Sequence, residues 1–110
     1  MSESLNFEGV MSSIWKNIEG IEVAPGIYER ELWRDDHNKR AMVYEFKPGA
    51  VFPGIDRHDS GPEQIYVISG VFNDGVMDHP EGTFIHQPKG SSHAPSSSTG
   101  CVLLVLYPEG

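Results

Sequence analysis

Turn residues punctuate this chain about every ten positions from Gly26 onward, and that spacing limits what the chain can fold into. "RDDHNK", "KPGA", "DSGP", "NDG", "HPEG" and "PKGS" each gather Gly, Pro, Asn, Asp or Ser where the backbone must reverse. Sustained helical periodicity is missing between them. The intervening segments read as strands at Ile27–Arg34, Arg40–Phe46, Ala50–Phe52, Gln64–Phe72, Thr83–Gln87 and Cys101–Tyr107. Within Arg40–Phe46, Met42, Tyr44 and Phe46 alternate onto one face. "QIYVISG" and "CVLLVLY" are continuous apolar runs, which predicts strands buried on both faces. "NDG" between two such runs predicts a hairpin. The expected class is all-β, a sandwich or barrel.

Residues 1–20 lack this pattern. "VMSSIWKNIEG" reads as one helical turn or an irregular arm anchored by Ile14, Trp15 and Ile18, which leaves 21–110 as the folded domain. A chain of 110 residues suits one domain and can bury a core without disulfide staples. Cys101 is the one cysteine, so neither an intrachain disulfide nor a cysteine-based zinc site can form. It reads as a small buried hydrophobe opening the last strand, in a protein suited to a reducing, cytoplasmic setting. The N-terminus has no signal-peptide pattern, and "CVLLVLY" is too short to span a bilayer. A formal net charge of −8 with no Lys/Arg-rich block argues against nucleic acid and anionic membrane surfaces as partners. It leaves small-molecule ligands open, because a bound cation can reverse the field inside a site.

The densest chemistry lies in "GIDRHDSGPEQ". Asp56 and His58 are two apart, so an extended strand sends both side chains to one face. The Gly61-Pro62 turn then returns Glu63 toward His58. Thirty residues on, "PKGSSHAP" makes a second tight turn followed by His93. If the two hairpins face each other, His58, Glu63 and His93 converge. Two imidazoles and one carboxylate suit Fe(II), Zn(II), Mn(II), Ni(II) or Co(II) and leave positions open for substrate or O2. Asp56 has three readings: a fourth ligand, a group beside the metal that orients His58 or a water, or a solvated partner of Arg57.

Both stretches resemble the two motifs of the cupin superfamily. In "GAVFPGIDRHDSGPEQIYVISG", His58 stands as the second histidine of the first motif, with Glu63 and Gly70 at the family's spacing. "GTFIHQPKGSSH" resembles the second motif through Gly82, Pro88, Gly90 and His93. Two positions depart from it: Asp56 stands where the family keeps a histidine, and Ser97 where it ends on asparagine. "PGAVFP", "GVFNDG", "GTFIHQPKGSSHAPSSSTGC" and "LLVLY" are similar to the cupin domain of ChrR-type anti-sigma factors, and also to small diketone-cleaving dioxygenases. The resemblance implies a jelly-roll β-barrel (a double-stranded β-helix) and a divalent metal, Fe(II) or Zn(II) before Mn(II) or Ni(II). His58, Glu63 and His93 would be its ligands, with Asp56 a fourth ligand or an acid/base. It further implies a small-molecule substrate or ligand and a homodimer. The activity expected is that of an oxygenase on a diketone-like compound, with a non-catalytic sensor of ChrR type as the alternative. Sigma-factor binding is not carried over, because no Cys-x-x-Cys helical domain is present.

Met42, Tyr66 and His86 are read as pocket walls, while His37 and His79 fall in turns and read as surface residues. Tyr44, Tyr66, Phe72 and Phe84 read as core aromatics, some of which can line a pocket.

Overall fold

The computed structural model describes residues 3–110. A single 3₁₀ turn, Trp15–Asn17, is followed by eleven strands. These are β1 (Ile21–Ala24), β2 (Ile27–Arg34), β3 (Arg40–Phe46), β4 (Ala50–Val51), β5 (Asp56–Arg57) and β6 (Glu63–Asn73). The remainder are β7 (Asp78–Pro80), β8 (Phe84–Gln87), β9 (Ser92–His93), β10 (Ser96–Ser97) and β11 (Cys101–Tyr107). Nine of them form one antiparallel sheet in the order β1-β2-β3-β11-β6-β10-β4, with β7 and β8 also paired to β6, while β5 and β9 form a separate ribbon.

The long strand β6 curls this sheet into an all-β jelly-roll. Its first part lies between β11 and β8; its last residues pair with β7 and β10 on the other wall. The change of wall falls where Ile68 has no opposite residue in β11 and Gly70 adopts φ +76°. A bulge of this kind bends a strand and increases its twist.

Three strands fall at the bounds that the turn signals and apolar patterns predict: β2, β3 and β11. The sequence reading misses β1 and the short β5, β7, β9 and β10. Strands this short exist through their partners, so they leave little local signal. The expected "NDG" hairpin forms as β6–β7. There Asp74 accepts the backbone N–H of Val76 and Met77, and His79 Nε2 lies 2.7 Å from the Asp74 carboxylate. His79 is thus half-buried in β7 rather than free in a surface turn, whereas His37 is exposed.

Burial corrects one expectation. β6 and β11 are fully buried on one face only, their outward residues being partly or well exposed. Ile65, Val67, Leu103 and Val105 are each at most 3% exposed, whereas Tyr66 is 45% exposed on the opposite face. The inward face joins Ile27, Met42, Phe46 and Phe72 in the core. Each such side chain contributes about 1.5–3 kcal/mol by leaving water. On the outward face the arm returns to the sheet: Arg30 donates from Nε to the Ile18 carbonyl at 2.7 Å, and its guanidinium lies over the Trp15 ring. Val43, the register partner of Arg30, is buried there. Ile14 is 65% exposed, so of the three expected anchors only Trp15 and Ile18 are partly covered.

Candidate metal centre

The ribbon β5–β9 builds half of the centre. Its register sets Asp56 opposite His93, and the ladder continues as His58 N–H donates to Ser91 O and Gly90 N–H donates to His58 O. Opposed residues project to the same side of a ladder, so Asp56 and His93 meet: Oδ2 to Nε2 is 3.0 Å. The other carboxylate comes from Glu63 at the start of β6, just after the buried Gly61-Pro62 turn. Glu63 Oε1 lies 3.7 Å from His58 Nε2 and 3.6 Å from His93 Nε2. The two imidazole rings stand 4.7 Å apart between centroids, and the edge of the Phe72 ring supports His93.

Burial is uneven. His58, Glu63 and His93 are nearly closed off, while the Asp56 side chain is 36% exposed. One ligand-capable atom from each of the four lies within 4.8 Å of the others. His58 Nε2 points into this cluster with no hydrogen-bond partner among the described residues. An orphaned imidazole nitrogen of this depth is costly unless something completes it. Burial pushes the Glu63 carboxyl up from its ordinary range, partly offset by His58, Tyr107 and His93. Both features fit a divalent cation, which would occupy the free nitrogen and favour the ionised carboxylate.

The cluster opens into a cavity of about 220 Å³ between the two walls. Its sides are largely apolar, including Ile27, Phe46, Ile65, Leu103 and Val105, and Asp56, Glu63 and His93 reach its surface. The residues read as pocket walls lie elsewhere. Met42 points inward but packs in the core, away from the cavity lining. Tyr66 faces outward beside its register partners Leu104 and Phe84. His86 is exposed on the same outer face, its Nδ1 3.4 Å from Gln64 Nε2. Glu29, Tyr44 and Tyr107 line the cavity instead. The missed signal is alternation: Glu29 follows inward Ile27 by two, and Tyr107 continues the inward series Cys101, Leu103, Val105.

Two further residues resolve by position. Ser97, where asparagine was expected from the resemblance, is 1% exposed and donates from Oγ to the Val71 carbonyl at 2.5 Å, tying β10 to β6. Cys101 is buried, and burial pushes its thiol up to about 11, so it is not a nucleophile poised at neutral pH. Among the described residues no helix is long and apolar enough to cross a membrane.

Solved structures with this fold include an RmlC-like cupin from Shewanella frigidimarina, 21% identical, with 93% of each chain covered and a TM-score of 0.76. KdgF from a Halomonas species is 19% identical, over 93% of this chain and 96% of that one, with a TM-score of 0.76. The Rhodobacter sphaeroides complex of SigE with the anti-sigma ChrR is 18% identical, over 84% of this chain and 50% of that one, with a TM-score of 0.73. The match spans nearly all of the first two of these chains and about half of the third. No curated protein matches the sequence. Residues 13–108 match the ChrR cupin-like domain family, and with its jelly-roll fold the chain belongs to that family.

Proposed function

We propose that this protein is a small metal-binding cupin that works as an oxygenase on a small oxygenated, diketone-like compound. His58, Glu63 and His93 would hold a divalent metal, Fe(II) or Zn(II) before Mn(II) or Ni(II), with Asp56 beside or within its ligand set. The observation that carries this reading is the joining of the ligand cluster to an apolar cavity of about 220 Å³. A metal serving the fold alone has no use for such a cavity. The ion would supply Lewis-acid binding of the substrate oxygens. The chain's own part is to exclude water with Ile65, Phe72, Leu103 and Val105 and to keep Glu63 aimed between the two imidazoles. Asp56, partly exposed and 3.0 Å from His93 Nε2, would bring its carboxylate to the cavity surface as a fourth ligand or an acid/base.

One observation favours a second reading, a non-catalytic metal-binding regulatory module of the ChrR type. Asp56 stands close enough to complete a set of four protein ligands, and a closed set leaves no position for chemistry. Metal analysis of the purified protein, paired with oxygen uptake over a panel of diketones, separates the two. Bound metal with diketone-dependent uptake is expected. Bound metal with no uptake and no exchangeable water ligand would overturn the oxygenase reading and leave the regulatory one.

A further inference from the structure

We propose that the cavity selects its ligand by charge, accepting an uncharged oxygenated molecule with an apolar body and rejecting the small carboxylate of the same shape. This rests on the reading above, that metal and ligand meet in this cavity. Three carboxylates line it: Asp56, Glu63 and, outside the ligand cluster, Glu29. None of the eight Lys and Arg side chains does so. Arg40 lies over the Tyr107 ring, 3.7 Å from its centroid, but its guanidinium donates to the Asn38 carbonyl and is not part of the lining. A divalent ion balanced by Asp56 and Glu63 leaves no formal charge to attract an anion, and Glu29 then makes the cavity negative.

The hydroxyl groups point the same way. Tyr44 donates to Glu29 at 2.8 Å. Tyr107 lies 3.4 Å from the Tyr44 hydroxyl and lines the same wall as Glu63. Each phenol carries a single O–H; that of Tyr44 goes to Glu29, and that of Tyr107 faces the Tyr44 oxygen. What remains for a ligand is a row of acceptor oxygens between Glu29 and Glu63. A ligand carboxylate needs donors and finds no cation on this wall, only the Tyr107 O–H already turned toward Tyr44. The enol O–H of a 1,3-dicarbonyl compound finds acceptors, and its carbon skeleton meets Ile27, Leu103 and Val105.

The test compares two ligands of nearly equal size, neutral 2,4-pentanedione and anionic acetoacetate. Binding is measured by calorimetry on the 110-residue protein loaded with Zn(II), with metal content checked in the same samples. The dione is expected to bind about tenfold tighter or more, the effect of one uncompensated like charge at such range. Glu29→Gln should bring the two affinities closer by at least about threefold, since it removes the charge that lies outside the ligand set. Equal or tighter binding of acetoacetate by the wild-type protein overturns the proposal without any variant. So does an unchanged ratio in folded Glu29→Gln, or metal-loaded protein that binds neither ligand. A wild-type protein that takes up no metal overturns the underlying reading instead.

Discussion

Replacing Gly70 by alanine combines two costs that the structure allows to be separated. Gly70 has φ +76°, a conformation that costs an L-residue about 1–2 kcal/mol. An added Cβ there would also overlap the Gly100 carbonyl oxygen and lie 2.8 Å from Cys101 Cα. Both are backbone atoms of the strand paired with Gly70 or its approach, so neither can move without shifting the β6–β11 register. Overpacking of that kind adds about 1–3 kcal/mol. Gly82 provides the comparison: its φ is +88°, yet nothing lies within 4 Å of an added Cβ. Gly82→Ala should therefore cost about 1–2 kcal/mol for conformation alone. Gly70→Ala should cost about 2–5 kcal/mol, the sum of both effects. Urea unfolding followed by tryptophan fluorescence measures the two variants on one scale. If their losses agree within about 0.5 kcal/mol, the ordinary scatter of additivity, the clash argument fails.

The remaining expectations concern the site and its surroundings. His58→Ala or His93→Ala should remove most bound metal, and Asp56→Ala should weaken metal binding by a smaller factor of about 10–100; unchanged metal content in Asp56→Ala takes Asp56 out of the ligand set. The Asp74 carboxyl is raised by burial but more strongly lowered by His79 and the N–H groups of Met77 and Val76, to about 2. Its folded value lies below the unfolded one of 3.8, so its contribution to stability is present above pH 3.8 and lost as pH falls through 2. Acid titrations of stability should show less loss across that window in His79→Ala than in the wild type; identical curves would contradict the assignment. Cys101, 3% exposed, should resist a thiol reagent in the native protein at neutral pH and react fully in denaturant, and rapid native labelling would show that the last strand opens readily.

Local sequence determined much of this molecule because its signals need no distant partner. Turn residues, with alternation in β3 and the continuous apolar run of β11, place β2, β3 and β11 at their observed bounds. The spacing of His58, Glu63 and His93 around two tight turns was enough to bring their meeting into view, since a turn returns the chain whatever lies beyond it. The facing of β6 and β11 was hidden. Their continuous apolar runs carry no alternation, so Tyr66 read as a wall although it faces out, while Tyr107 went unnoticed although it faces in. Glu29 is invisible for a related reason: one acidic residue in a strand has no meaning until its face is known. Asp56 depended most on tertiary structure. Its approach to His93 follows from the register of two-residue strands separated by 34 residues of chain between Arg57 and Ser92. Such a ribbon has almost no propensity of its own and is held in place by the barrel around it, so only the assembled fold brings that carboxylate to the imidazole.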